Sequence, residues 1–312
     1  MSLPDLLWCE KYRPHTIADT ILPADLKTTF AQFVEQGFVP NLMLAGPPGI
    51  GKTTIARAVL DELGCEYVII NGSLEGNIDK LRTDIQAFAS SVALTGGRKY
   101  VILDEADYLT QFTQPALRNF MEEYSKNCGF IFTCNYKNKI IDALHSRCAV
   151  IDFKFAKAEK PHLAGQFFKR ACSILEAEGV EYDKKAVAGL VEKHFPNWRR
   201  ALNEMQRYAA TGKIDVGVLV DHQKENVKTL VDFMKEKNYT SIRKWVSAHS
   251  ELDAQTMFRD FYDQASTYFT PQSVPALVLL LGKYQYQASF AADPEINLMA
   301  FLTEVMIDCE LA

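Results

Sequence analysis

Eight consecutive residues carry the densest chemistry in this sequence: Gly46-Pro47-Pro48-Gly49-Ile50-Gly51-Lys52-Thr53. They fit the phosphate-binding pattern G-x-x-x-x-G-K-[ST]. Glycines let backbone N–H groups approach phosphate oxygens, and the start of a helix adds positive partial charge. Lys52 is spaced to reach the β- and γ-phosphates of a nucleoside triphosphate, and the Thr53 hydroxyl to bind Mg²⁺. Further on, the apolar run Tyr100-Val101-Ile102-Leu103 ends in adjacent carboxylates, Asp104 and Glu105. The first suits a Mg²⁺ partner, and the second can polarise a water against the γ-phosphate. Asp107 reads as a helix N-cap. Another apolar run, Phe130-Ile131-Phe132-Thr133-Cys134, ends in Asn135. That amide can bond both the attacking water and the γ-phosphate, or it can simply make a turn. Ser146-Arg147-Cys148 offers either an arginine finger for a neighbouring subunit's nucleotide or a solvated surface cation. Phe195-Pro196-Asn197-Trp198-Arg199-Arg200 opens a helix whose first turn carries Arg199, where it can reach back to a phosphate.

These residues need elements to hold them. Strands are expected at Asn41–Ala45, Tyr67–Ile70, Tyr100–Asp104, Gly129–Cys134 and Ala149–Phe153. Helical periodicity lies between them over Thr53–Leu63, Ile78–Ser91 and Gln114–Tyr124. Strand alternating with helix implies a mostly parallel sheet flanked by helices, an α/β fold. Strand signals then fade. Pro161–Ala177, Lys184–His194 and Trp198–Ala210 read as helices, punctuated by Gly179 and Pro196. After about residue 212 the pattern is again helical: Val227–Glu236, Thr240–Ser250, Ala254–Tyr268, Val274–Tyr286 and Glu295–Cys309.

The 312 residues allow two or three domains. With 48% hydrophobic and 23% charged residues, composition excludes a disordered or collagen-like chain. The longest apolar run, Val274–Leu281, falls short of the ~20 residues a membrane span needs. No secretory leader is read at the start, so a cytoplasmic location is expected. Seven cysteines with no Cys-x-x-Cys pair argue against a disulfide framework or a structural zinc site, and most lie in apolar stretches. The net charge of −5 argues against a generally basic nucleic-acid binder and leaves room for a local basic surface.

In this order the motifs resemble the AAA+ ATPases and, within them, the sliding-clamp loaders of the T-even-like phage and replication-factor-C branch. Lys11-Tyr12-Arg13-Pro14 is similar to that family's signature beside the adenine pocket. Ile78-Asp79-Lys80-Leu81-Arg82 resembles the start of its DNA-tracking helix, and Gln114-Pro115-Ala116-Leu117-Arg118 its helix after the acidic pair. The resemblance implies an AAA+ module over 1–154, a small helical lid over 155–215 and an all-α collar over 216–312. It implies ATP and Mg²⁺ as ligands. Tyr12, Arg13, Pro14, residues Gly46 through Thr54, and Arg199 would line the nucleotide. Thr53 and Asp104 would hold the metal, while Lys52, Glu105, Asn135 and, in trans, Arg147 would act in hydrolysis. Lys80 and Arg82 would face DNA backbone, and Gln114 with Arg118 would couple DNA contact to the ATP site. Phe88–Leu94 would press on the clamp, with a place in the core as the other reading of Phe88.

The implied assembly is four copies of this chain with one different, smaller subunit, acting on a sliding clamp and primer–template DNA. ATP binding would open the clamp, and hydrolysis would release it closed on DNA. Two other readings stay open at this level: another AAA+ motor on DNA, and a nucleotide-binding scaffold that does not hydrolyse.

Overall fold

The computed structural model describes residues 7–73, 78–91, 97–110, 113–210, 212–215, 222–248, 254–288 and 290–311, with the side chains of 78–80, 222–227 and 256 excepted. The chain forms two compact units, Met1–Leu219 and Val220–Ala312.

The first unit is built on five parallel strands: β1 (Leu42–Ala45), β2 (Tyr67–Asn71), β3 (Lys99–Asp104), β4 (Cys128–Cys134) and β5 (Ala149–Asp152). Their order across the sheet is β2-β3-β4-β1-β5. The helices are α1 (Trp8–Lys11), α2 (Ala24–Glu35), α3 (Lys52–Glu62), α4 (Ile78–Ser90), α5 (Thr113–Glu123) and α6 (Asp142–His145). Strands covered on both faces read as continuous apolar runs, and β3 and β4 are buried almost throughout. Along β3 the side chains alternate between two cores. Tyr100 and Ile102 join Phe30, Ile55, Val59 and Phe153, whereas Val101 and Leu103 join Leu81, Ile85, Leu117 and Phe120.

The same unit continues with α7 (Lys160–Ala177), α8 (Lys184–His194) and α9 (Trp198–Ala209). Phe167, Leu190, Trp198 and Met205 pack together with Trp8 from α1. Asp183 caps α8 through the Lys185 N–H at 2.6 Å, and Asn197 caps α9 through the Arg200 N–H at 2.9 Å. The second unit holds α10 (His222–Lys235), α11 (Tyr239–Ala248), α12 (Ala254–Asp263), α13 (Ala265–Tyr268), α14 (Val274–Ala288) and α15 (Pro294–Asp308). Phe258, Phe261, Tyr284 and Phe301 form its aromatic centre.

Several details differ from the sequence reading. The stretch Ala254–Tyr268 is two helices, broken at Gln264, whose φ of −103° and ψ of 12° leave the helical range. No glycine or proline marks that break. The zone read as purely helical contains a two-residue parallel pair, β6 (Glu181–Tyr182) with β7 (Lys213–Ile214), too short for alternation to register. Helices α1 and α6 have four residues each, barely one turn of pattern. The seven cysteines are all free; Cys128, Cys134 and Cys309 are buried, while the other four are only half-buried.

Candidate nucleotide site

The site lies at the carboxyl ends of β1, β3 and β4. Strand β4 runs between β1 and β3, with Leu42 and Ile102 both in register with Ile131. Asn135, just past β4, is thereby set between the loop after β1 and the acids after β3. The loop is tight by necessity. A Cβ on Gly46 would stand 2.7 Å from Phe153 Cβ, and one on Gly49, where φ is +72°, only 1.9 Å from Asn197 Oδ1.

Lys52, the first residue of α3, curls back over the loop. Its ammonium donates to the carbonyls of Gly46 at 2.7 Å and Pro47 at 2.8 Å, and to Asn135 Oδ1 at 3.0 Å. Burial pushes its pKa down to about 8, against the attraction of Asp104 and Asp107. An amine desolvated on neutral carbonyls is a cation short of an anion, and phosphate oxygens supply that charge. One residue on, Thr53 Oγ1 donates to Asp104 Oδ1 at 2.7 Å. This hydroxyl–carboxylate pair offers the hard oxygen donors that Mg²⁺ takes when phosphates complete its shell. Among the described residues, no cluster of three or more His, Cys, Asp or Glu side chains is arranged as a metal cage. The residues present fit a nucleotide with its Mg²⁺.

Tyr12, Arg13, Pro14, Pro48 through Thr54, Asp104, Glu105, Asn135 and Arg199 line one cleft. Arg13 Nη1 donates to Thr54 Oγ1 at 3.2 Å, and its other nitrogens hold Glu10. The Tyr12 hydroxyl donates to Glu178 at 2.6 Å. The far wall comes from α9. Its Trp198 N–H donates to the Gly49 carbonyl at 3.0 Å, and Trp198 stacks on Phe167 at 4.4 Å between centroids. The Trp198 indole nitrogen is buried with no partner among the described groups, a donor left over in the cleft wall.

Other residues read from sequence lie elsewhere. Arg147, past α6, is outside the cleft; it holds Glu122 through Nε at 3.0 Å and through Nη2, and the Ala143 carbonyl at 2.9 Å. That ion pair keeps the Glu122 carboxyl below its ordinary range. Gln114 is buried and ties three segments together. Its amide nitrogen donates to the carbonyls of Leu109 and Lys139 at 3.1 and 3.0 Å, and its oxygen accepts from Ile141 N–H at 2.8 Å. It thus bridges the turn after the acids, the turn after Asn135 and the entry to α6, the short helix that precedes Arg147. Arg118 is exposed and bonds only the neighbouring Asn119 among the described hydrogen bonds. Arg82 is exposed on α4, Lys80 is on its first turn, and Phe88 is half-buried against the sheet core with the Lys99 ammonium 4.8 Å over its ring. Leu94 lies outside the described residues.

Asp107 is not an N-cap. It is buried within a 3-10 turn, Ala106–Tyr108, and its Oδ2 accepts the Tyr136 N–H at 3.2 Å, fastening the segment that carries Asn135. Arg170 is a cleft residue that sequence reasoning misses. Its Nη2 donates to the Tyr12 carbonyl at 3.3 Å, and an isolated arginine inside a helical pattern gives no signal of that.

Comparison with known proteins agrees with this geometry. The family model described as ATPase family associated with various cellular activities matches residues 42–155. The model for the sliding-clamp-loader large subunit, AAA+ ATPase lid domain, matches residues 159–220. The sliding-clamp-loader large subunit of Escherichia phage RB69 is 34% identical, over 97% of this chain and 95% of the relative. The chain belongs to the clamp-loader family of AAA+ ATPases. The corresponding subunit of Enterobacteria phage T4 is 33% identical over the same shares. The replication factor C small subunit of Saccharolobus solfataricus is 32% identical over 98% and 96%. Like its family, this clamp-loader ATPase binds nucleotide and hydrolyses ATP. Its fold is shared with the Thermotoga maritima RuvB Holliday junction branch migration motor, at a TM-score of 0.55 and 16% identity over 83% of this chain and 93% of that one. At that identity the likeness is one of fold alone.

Proposed function

We propose that this clamp-loader ATPase uses ATP binding to grip and open a sliding clamp around primer–template DNA, and hydrolysis to let the closed clamp go. The observation that carries this reading is the convergence of Lys52, Thr53, Asp104, Glu105 and Asn135 on one cleft whose far wall is a separate helix, α9, with Arg199 in its first turn. In this reading Lys52 and Arg199 neutralise the phosphates. Thr53 and Asp104 would hold Mg²⁺, which would supply positive charge to the phosphates. Glu105 takes a proton from the attacking water, and Asn135 orients that water. Arg147 serves a neighbour's site, which requires it to release Glu122. The Gln114 bridge relates the geometry at one site to the arginine offered to the next.

We divide the chain functionally into an ATPase module over 1–154, a lid over 155–215 and a collar over 216–312. Support for the collar comes from the surface of the second unit, where Leu279, Tyr286, Phe290 and Ile307 are each more than 70% exposed; apolar groups in such number favour burial against other chains. The proposed assembly is four copies with one smaller, different subunit, in the cytoplasm of a host cell. No helix among the described residues is long and apolar enough to cross a membrane. Lys80 and Arg82 would meet DNA phosphates, repeated from copy to copy so that an acidic chain still builds a positive groove. The far end of α4 would meet the clamp. The test is ATP turnover by the chain co-assembled with its small partner, with and without clamp and primer–template. Stimulation by both is expected, and turnover indifferent to both would overturn the reading.

A further inference from the structure

Thr133 is the penultimate residue of β4, buried to 1% exposure inside an otherwise apolar strand. A buried hydroxyl must find partners or it costs stability. Thr133 finds two, both on the acid pair. Its Oγ1 donates to Asp104 Oδ1 at 2.5 Å and accepts the Glu105 N–H at 3.2 Å. Glu105 is one of two non-glycine residues with positive φ among those described, at φ 55° and ψ 43°. That left-handed residue follows directly on Asp104 at the end of β3, and an L-residue in this conformation costs energy unless its surroundings hold it there.

Backbone contacts add to this hold. The Gly72 N–H donates to the Asp104 carbonyl at 2.7 Å, and a Cβ on Gly72 would meet the Glu105 carbonyl at 2.7 Å. Among the described hydrogen bonds, Thr133 is the side chain that bonds both residues, the Asp104 carboxylate and the Glu105 peptide. Its bond and that of Thr53 fall on Oδ1 of Asp104, and none of the described hydrogen bonds falls on Oδ2. The carboxylate is gripped by one oxygen and offers the other.

We propose that Thr133 is a positioning residue for the metal-binding end of the site, fixing the Asp104 carboxylate and the Glu105 peptide through one hydroxyl and thereby setting how strongly Mg²⁺ reinforces nucleotide binding. The inference rests on the reading of Asp104 as a Mg²⁺ partner. Its chemistry is that of outer-shell groups generally, whose loss costs roughly 10–100-fold in metal affinity.

The test measures ATP binding to the full-length chain by calorimetry, first in EDTA and then across a Mg²⁺ titration. Wild type is expected to gain affinity with Mg²⁺. Thr133→Val, which keeps the shape and removes the hydroxyl, should bind ATP like wild type in EDTA but need about tenfold more Mg²⁺ for half the gain. Thr133→Ser should return to within about twofold of wild type, a rescue that mere packing at this site does not predict. If valine is not tolerated by the fold, judged by thermal melting, Thr133→Ala supplies the deletion. A deletion variant with the wild-type Mg²⁺ midpoint overturns the inference and leaves the nucleotide reading intact. A wild-type chain whose ATP affinity ignores Mg²⁺ overturns the metal assignment of Asp104 and this inference with it.

Discussion

The backbone N–H of Trp198 donates to the carbonyl of Gly49 at 3.0 Å, joining the first turn of the helix that carries Arg199 to the phosphate loop itself. Asn197 stabilises this junction twice, by capping the helix through the Arg200 N–H and by filling the space against Gly49. Asn197→Ala should therefore cost about 1 kcal/mol from the lost cap. In a unit of this size that corresponds to a melting shift of about 2–4 °C. ATP affinity should fall as well, since Arg199 loses its anchored start. A melting curve with and without ATP checks both. An unchanged ATP-induced shift would separate Asn197 from the site.

Lys52 gives a pH signature. Its folded pKa, about 8, lies below the ordinary lysine value of 10.5, so its charged form is disfavoured by folding. That penalty is present in full below about pH 8 and is relieved as pH rises toward 10.5. Phosphates act in the opposite sense by favouring the ammonium. ATP binding should then draw in a proton at pH 8.5 and scarcely any at pH 7, and affinity should decline above pH 8. Calorimetry in buffers of differing ionisation heat measures the uptake directly. Equal uptake at the two pH values would contradict the assignment.

The acid pair divides its work. Glu105→Gln should bind ATP and Mg²⁺ as wild type does but lose turnover by about 10²-fold or more, because the base is gone while Asp104 is untouched. Hydrolysis at the wild-type rate in the assembled complex would exclude Glu105 as the base.

Arg147 should act only between subunits. Arg147→Ala is expected to leave ATP binding to the single chain unchanged and to depress turnover of the assembly by about 10³-fold or more. Mixing Arg147→Ala chains with Lys52→Ala chains is the sharper experiment. Partial recovery of turnover is the signature of a shared site, and none is expected if each chain serves only itself.

DNA binding should depend on the assembly with ATP. Arg82→Ala should weaken all sequences alike and flatten the salt dependence by about 0.9 in the log–log slope for each phosphate no longer neutralised. Fluorescent primer–template titrated over salt reads this. A slope unchanged by the substitution would move the DNA surface away from α4.

What is legible in the sequence follows from locality. The phosphate loop can be read because its chemistry demands fixed residue types in one contiguous stretch, and β1 and α3 follow from the runs on either side. Asp104 and Asn135 are legible as polar ends of apolar strands. That β4 lies between β1 and β3 depends on pairings between distant segments, which leave no local pattern. Thr133 is hidden inside an apolar run that looks like core. Asp107 misleads because its spacing suits a cap while its side chain turns inward to Tyr136. Gln114 can be named from family likeness alone; its bridging role appears only when Leu109, Lys139 and Ile141 are brought together.

The strand order also governs when this protein can become itself during synthesis. β1 pairs only with β4 and β5 in the sheet, whereas β2 and β3 pair with each other. A nascent chain that has emerged only to residue 127 therefore holds a complete β2–β3 pair and an unpaired β1. The phosphate loop is already translated but has no sheet to stand on. Its strand must wait for β4, complete only at Cys134, to join it to β3, and for β5, complete at Asp152, to cover its other edge, and pairings of such long sequence separation form slowly. The exposed edge of β1 is thus a liability of biogenesis, open to aggregation in that interval. ATP, which binds only the finished cleft, can hold the module folded only once α9 has added the wall that carries Arg199, later still than β5.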